Sequence, residues 1–314
     1  LHLLSRRQRQ MCIRDRIFSL MLCAAAMLLA SCGSETETND TTDSRVALQV
    51  SGGINVQSRA SNAAWEAGDQ IGIYMFAAGT TTIAEGARNI PYETKTDDGR
   101  FTPTSAYIYF PIDGSNVDFH AWYPYKKVTS WEADLTNQSS QAAIDLMTAD
   151  APSKNKAIYN KENPTVHFDF RHRLTKIVLN IAPGTGVTLA DLTGLKVEIT
   201  KQLKTVLYAP ESDALSFTEE ATDITLLTKT DGTSAEAILF PDNLIGNPTA
   251  ERQLVFTLPT TEEEFYWNIP NSKSFNAGEK NIYNITVNRT GLDVTSKITD
   301  WTPGNGAGEP GSAE

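Results

Sequence analysis

Apolar and polar residues alternate along most of the chain after residue 45, which is the pattern of half-buried β-strands. In the first run, the apolar positions are Val46, Leu48, Val50, Ile54 and Val56. Similar runs recur about every ten residues, separated by Gly, Asn, Asp and Pro, and this spacing is typical of β-sandwiches. They cover residues 69–76, 106–112, 117–125, 164–183, 194–200, 204–210, 222–228, 236–241, 252–259, 264–270 and 280–290. Helical periodicity is scarce, so the pattern predicts an all-β fold.

A polar, proline-bounded segment near residues 152–165 interrupts the strand pattern and indicates a domain boundary. We therefore predict two tandem β-sandwich domains, the first over residues 46–163 and the second over residues 164–302. Residues 32–45 are mostly Ser, Thr, Glu, Asp and Asn, which predicts a solvated tether. Residues 303–314 carry Gly, Pro and charge without apolar alternation, so we predict a disordered tail.

The segment before the tether has the composition of a signal peptide. Residues 17–30 form an apolar run that is too short to span a bilayer comfortably. The run ends in Leu29-Ala30-Ser31-Cys32, which resembles the lipobox of bacterial lipoproteins. We therefore predict a lipoprotein signal peptide over residues 17–31 and a covalent lipid on Cys32, and we expect no other cofactor. Acyl chains contribute about 0.8 kcal/mol per buried CH₂, so a multiply acylated Cys32 anchors a protein to a membrane.

The surroundings of Cys32 favour the outer membrane. Gly33 follows Cys32 where an aspartate would favour inner-membrane retention, and residues 34–40, SETETND, resemble the surface-export signals of Bacteroidetes lipoproteins. We therefore expect a surface-exposed protein of the outer membrane. Residues 1–16 are left out of this inference, because Met11–Arg16 reads like a translated sequencing adaptor.

Charge and cysteine content exclude several functions. The net charge is −11 and the pI is about 4.9, and an acidic surface repels the phosphates of nucleic acids. The three cysteines are Cys12, Cys23 and Cys32, so the chain after the anchor has no disulfide and no thiolate metal site.

Catalytic motifs are absent from the sequence, which lacks HExxH, GxSxG, a Walker A loop and GxGxxG. His120, His167 and His172 lie in strand-like runs, where paired or half-exposed histidines are the more common interpretation. Residues 97–99 and 113–114 have the composition of turns, with a calcium site as the alternative. We predict no catalytic residues, no metal site and no enzyme activity.

An aromatic cluster, Trp122, Tyr123, Tyr125 and Trp131, allows two interpretations. Such side chains can stack on sugars, but more often they pack in a core or under a loop.

Several stretches together resemble the fimbrillin-like proteins of Bacteroidetes, which form type V pili. They occur in the family's order and span nearly the whole mature chain. The stretches are residues 58–76 with WEAGDQIGIY, 117–125, 145–150 with DLMTAD, 166–181 around HRLTK, 275–287 and 298–304 with ITDWTPG.

The resemblance implies transthyretin-like sandwiches and a structural subunit, stalk or tip, of a cell-surface fimbria. In this family an arginine-specific protease removes the first strand, and the groove takes a strand from another subunit, which is β-augmentation. The resemblance points to Arg59 as the processing site, with Arg45 as the runner-up. The five alternating apolar residues of the first run would then be the strand that fills the groove.

In this family, the strand that replaces the removed first strand lies near the C-terminus of the incoming subunit. Here it would have to come from residues 280–301, because the tail lacks apolar alternation. A tip subunit would accept a strand and give none. The alternative function is a monomeric surface lipoprotein that binds glycan or host protein through its loops, with Trp122 as the first residue to test.

Overall fold

The computed structural model describes residues 45–54, 64–150, 158–245 and 251–300, together with the backbone of residues 311–312. The regular secondary structure in these ranges consists almost entirely of β-strands. The strands are β1 Gln49–Ile54, β2 Gln70–Ala77, β3 Ile90–Thr94, β4 Arg100–Pro103, β5 Val117–Tyr123, β6 Trp131–Asp134, β7 Met147–Asp150, β8 Thr165–His172, β9 Thr175–Pro183, β10 Lys196–Leu203, β11 Thr205–Ala209, β12 Ala214–Phe217, β13 Ala221–Thr225, β14 Leu227–Thr228, β15 Ser234–Leu239, β16 Gln253–Thr257, β17 Glu264–Asn268, β18 Glu279–Asn288, β19 Gly291–Asp300 and β20 Gly311–Ser312. One α-helix, α1 (Gln141–Ile144), and the 3₁₀ helices Gln138–Ser140 and Asp242–Leu244 complete the described elements.

No helix in these ranges is long and apolar enough to cross a membrane.

Seven strands close into a barrel in the order β1-β4-β3-β2-β5-β7-β8. Neighbouring strands run antiparallel, except that β1 runs parallel to β8. The predicted all-β fold is confirmed, and the closure of these seven strands into a barrel is a feature that the sequence pattern did not predict. This closure depends on the pairing of β1 with β8, two strands more than 100 residues apart, which local alternation cannot show.

The remaining strands form three sheets. A six-stranded sheet has the order β14-β15-β9-β18-β19-β20, and a four-stranded sheet has the order β13-β10-β16-β17. In the third sheet, β11 lies between β12 and β6. The strand β6 therefore leaves the first half of the chain and pairs with the second half.

Two hydrophobic cores lie along residues 45–300 of the described chain, within a single compact unit. The barrel core includes Val166, Phe168 and Phe170 of β8, whereas Leu174 and Ile177 already belong to the second core. The cores thus change near Arg173, and β8 lies in the first core although residue 164 was the predicted start of the second domain. The division into two tandem domains stays a prediction.

The outer face of the barrel is buried where it meets the second core. Tyr74 and Trp122 point out of the barrel and pack with Trp131 and Tyr208. His120, on the same face, links the two halves, because its Nδ1 lies 3.0 Å from Asp150 Oδ1 and its Nε2 lies 2.8 Å from Tyr208 Oη. Every residue of β5 is buried because both faces of this strand are covered.

The Gln138 side chain makes the two hydrogen bonds to the backbone of Ile238 in β15 that a neighbouring strand would otherwise make. Its Nε2 donates to Leu135 O at 2.6 Å and to Ile238 O at 2.9 Å, and its Oε1 accepts from Ile238 N at 2.9 Å.

We expect Gln138→Ala to lower the free energy of unfolding by about 2 kcal/mol, because buried backbone groups lose their partners. Urea denaturation measures this, and the exposed neighbour Asn137 provides the control: Asn137→Ala should change stability by less than about 0.5 kcal/mol. Equal effects of the two substitutions would contradict the role of Gln138.

Candidate functional site

The first strand closes the barrel from both sides. Residues 49–54 pair in parallel with residues 165–170 of β8. On its other side, β1 pairs antiparallel with β4 at Val50 and Ser51. The residues before β1 continue this edge, since Leu48 N donates to Ile108 O at 2.9 Å and Phe110 N donates to Val46 O at 3.0 Å. Without this segment, β8 and β4 would no longer be joined.

Alternate side chains of the segment face the barrel core. Leu48 and Val50 are buried, and Val46 and Ile54 are half-buried against the same core. Four of the five apolar residues of the first run therefore pack on the barrel core, and Val56 lies outside the described residues. Two buried and two half-buried side chains at about 1.5–3 kcal/mol per full burial contribute roughly 5–9 kcal/mol.

Between Val50 and Ile54, the inward position of the segment is a buried glycine, Gly52. A Cβ at Gly52 would lie 3.2 Å from Phe170 Cε2 and 3.3 Å from Phe101 Cε2, which is tighter than ordinary contact. The opposing Gly99 has a φ of +70°, and a Cβ there would lie 2.3 Å from Gly52 O. Only a very small side chain therefore fits at the position of Gly52.

Trp65 covers the end of the segment. Trp65 is only 4 % exposed, and its indole Nε1 donates to Gly52 O at 2.8 Å. The indole packs edge-on against Phe101, Tyr123 and Phe170, with ring centroids 5.0, 5.6 and 5.1 Å away. Trp65 follows the predicted processing site in the chain, so it belongs to the wall of the groove rather than to the strand that fills it.

The two arginines predicted for processing lie on either side of β1. Arg45 is exposed, and its guanidinium lies 4.8 Å from the centre of the Tyr109 ring. Arg59 lies outside the described residues, between Ile54 and Ala64. The predicted lipobox, Leu29, Ala30 and Ser31 with Cys32, also lies outside them.

The predicted aromatic cluster is mostly core. Trp122, Tyr123 and Trp131 have exposed fractions of 0, 9 and 3 %, so their ring faces cannot meet a sugar from solution. Tyr125 alone among the four remains partly accessible. This overturns the interpretation of Trp122 as a sugar-stacking residue.

The histidines pair with nearby carboxylates. Besides the His120 contacts, His172 Nδ1 lies 2.8 Å from Asp145 Oδ1, and His167 Nε2 lies 3.5 Å from Asp169 Oδ1 at the surface. These contacts agree with the interpretation of paired strand histidines. Within the described ranges, no three His, Cys, Asp or Glu side chains gather as metal ligands.

The two Asp-Gly segments form turns. Asp98 Oδ1 accepts from Arg100 N, and Asp113 Oδ1 accepts from Ser115 N. These backbone hydrogen bonds lower the pKa of both carboxyls.

A feature missed from the sequence is a second copy of the β1 pattern in β19. Residues 48–54 read LQVSGGI and residues 292–298 read LDVTSKI. Leu292, Val294 and Ile298 thus take the places of Leu48, Val50 and Ile54, and Ser296 takes the place of Gly52. Comparing the chain with itself would have found this signal.

The fold and the site define an all-β protein in which a short N-terminal strand, followed by an arginine, closes a barrel. The chain belongs to the fimbrillin-like family, whose family model matches residues 58–301. This confirms the resemblance seen in the sequence. The matched range begins after β1.

Individual relatives agree with this assignment. The "Putative fimbrium subunit Fim1C" of Bacteroides uniformis is 39 % identical over 307 residues, which cover 94 % of this chain and 98 % of that protein. A crystal structure of a "putative cell adhesion protein" from Bacteroides uniformis is 35 % identical, covers 83 % of this chain and 99 % of its own, and has a TM-score of 0.70. One from Bacteroides ovatus shares the fold at 21 % identity, with a TM-score of 0.65 and coverage of 83 and 99 %.

Proposed function

We propose that this protein is a structural subunit, stalk or tip, of a cell-surface fimbria. In this proposal the precursor is exported with a lipid on Cys32, an arginine-specific protease cuts after Arg59, and β1 leaves. A strand from another subunit then enters the groove between β8 and β4. The observation that carries the proposal is the position of β1, which closes the barrel and ends at Ile54, shortly before Arg59 in the sequence.

The energetics favour refilling of the groove. An empty groove would expose the unpaired backbone edges of β8 and β4 together with the apolar wall of the barrel, which is a strong template for strand addition. The loss of about 5–9 kcal/mol of burial is comparable with the whole stability of a domain. A strand that restores this burial therefore drives association of subunits.

The strand β19 is the donor best suited to this groove. It pairs with β18 along residues 291–300, and on its other side its only strand partner within the described part of the chain is the two-residue β20. Leu292 and Val294 are half-buried and Ile298 is 48 % exposed. The adjacent β18 is less easily released, because its Tyr283, Ile285 and Val287 are no more than 1 % exposed.

The pattern of β19 also fits the narrow part of the groove. In the β1 register, Ser296 would lie where Gly52 packs against Phe101 and Phe170. A Cβ at this position needs the two rings to shift by only a few tenths of an ångström, and serine adds one hydroxyl beyond its Cβ. Thr295 would point out of the barrel, as Ser51 does on β1.

The substitution Ser296→Leu tests this donor. We expect the variant to fold, since Ser296 is half-exposed, but to form roughly tenfold less polymer, because overpacking the groove costs about 1–3 kcal/mol. The measurement is the ladder of high-molecular-weight species after arginine-specific proteolysis, with filaments viewed by electron microscopy.

The matched control is Thr295→Leu, which adds the same side chain to the opposite face of β19. We expect this variant to assemble like the unaltered protein. Equal assembly of the two variants would exclude β19 as the donor. An unaltered protein that stays monomeric after complete cleavage would exclude a stalk subunit that assembles with copies of itself.

A further inference from the structure

An open cleft lies where the barrel meets the sheet of β6, β11 and β12, and no residue of β1 lines it. Its volume is about 910 Å³, within the usual size of small-molecule sites. The walls come from the start of β3, the loop after β4, the loop between β5 and β6, and Glu211 in the turn after β11. The cleft has no part in the proposed strand exchange.

The base of the cleft contains a tyrosine whose hydroxyl has no hydrogen-bond partner among the described residues. Tyr74 is only 2 % exposed, yet its hydroxyl makes no hydrogen bond with any described residue. The hydroxyls of the buried tyrosines Tyr92, Tyr123 and Tyr208 bond to Ile108 N, Asp69 and Asp213 respectively. The hydroxyl of Tyr283, which does not line the cleft, also lacks a partner among the described residues. Burial, with a smaller effect of Glu211, raises the pKa of Tyr74 to about 12. The hydroxyl is therefore protonated at neutral pH and can both donate and accept.

Groups of complementary polarity surround this hydroxyl. Arg88 and Glu211 form an ion pair at the rim, so a donor and an acceptor lie side by side with their charges balanced. Tyr125 presents a partly exposed ring, and Ile90 and Pro91 add an apolar surface. An apolar ligand would remove water from the Tyr74 hydroxyl and from the Arg88–Glu211 ion pair without offering hydrogen bonds in return, which is costly.

We propose that this cleft binds a carbohydrate ring. A sugar has an apolar C–H face, which suits Tyr125, and an edge of hydroxyls that both donate and accept, which suits Tyr74, Arg88 and Glu211. Two hydrogen bonds of Asn89 hold the loop between β5 and β6 in place: Asn89 Nδ2 donates to Lys126 O at 2.8 Å, and Asn89 Oδ1 accepts from Trp122 Nε1 at 2.9 Å. The cleft is therefore formed before a ligand binds.

The test uses the full-length chain in detergent on an array of immobilised galactose, glucose, mannose, N-acetylglucosamine, fucose and sialic acid. We expect retention on at least one of these sugars. Tyr125→Ala should abolish this retention, and Tyr74→Phe should weaken it about tenfold, because a buried hydrogen-bonding site loses its partner. Tyr74→Phe keeps the ring packing, so its thermal unfolding should match that of the unaltered chain.

The control is Tyr266→Ala, which removes a 54 % exposed ring outside the cleft and should bind as the unaltered chain does. Retention on no sugar of the panel would overturn the proposal. Unchanged binding by Tyr74→Phe would overturn it as well, even if Tyr125→Ala failed to fold. The array uses uncleaved monomer, so neither result bears on assembly by strand exchange.

Discussion

Arg59→Ala is expected to abolish polymer formation after arginine-specific proteolysis, whereas Arg45→Ala leaves it intact. With Arg59 uncut, β1 remains covalently joined to the wall of its groove. An intramolecular strand has a high effective concentration, so a strand from another subunit cannot displace it. A cut after Arg45 would sever only the predicted tether and leave β1 in place.

The measurement combines gel ladders with N-terminal sequencing of the polymerised form. We expect a new terminus at Ala60. Polymers from Arg59→Ala would contradict this assignment, and a terminus at neither Val46 nor Ala60 would exclude both arginines. Both variants should unfold like the unaltered protein before proteolysis, so a difference in assembly would reflect cleavage alone.

Trp65→Ala is expected to lower the free energy of unfolding by about 3–5 kcal/mol, the usual cost of removing a large buried aromatic side chain. The variant loses the contacts with Phe101, Tyr123 and Phe170 and also the hydrogen bond to Gly52 O. Denaturant unfolding of the uncleaved monomer measures the change.

Two further variants separate these contributions. Trp65→Phe keeps an aromatic ring but loses the bond to Gly52, so it should cost less than Trp65→Ala. Tyr266→Ala removes an exposed aromatic side chain and should change stability by less than about 0.5 kcal/mol. A loss below about 1 kcal/mol in Trp65→Ala would show that Trp65 does not support the barrel.

Local alternation predicted many of the strands, because burial on one face leaves a period of two in the sequence. Residues 106–112 were predicted as a strand but contain none, only an isolated bridge between Tyr109 and Ala47. The run over residues 164–183 illustrates both the success and its limit. Its apolar residues Val166, Phe168 and Phe170 occupy even positions, whereas Ile177, Leu179 and Ile181 occupy odd ones. This change of phase marks the place where the chain leaves one core for the other, so the boundary could have been found from the sequence.

Other features depend on contacts between distant residues. Closure of the barrel requires β1 to meet β8 in parallel, and nothing near residue 50 encodes that partner. The burial of Trp122 depends on Tyr208, which lies far along the chain, so the same residues could equally have formed an exposed aromatic surface. The candidate site was partly predicted, since the inward residues of β1 follow from alternation but the close fit around Gly52 does not.

The parallel pairing of β1 with β8 has a consequence for the shape of any assembly. A strand that replaces β1 in the same register must enter with the same direction, so successive subunits all point one way. The resulting fibre would be polar, with an empty groove at one end and an unused donor strand at the other. Subunits would then add to the two ends by different steps, and the lipid on Cys32 takes part in neither step, because it leaves the subunit together with β1.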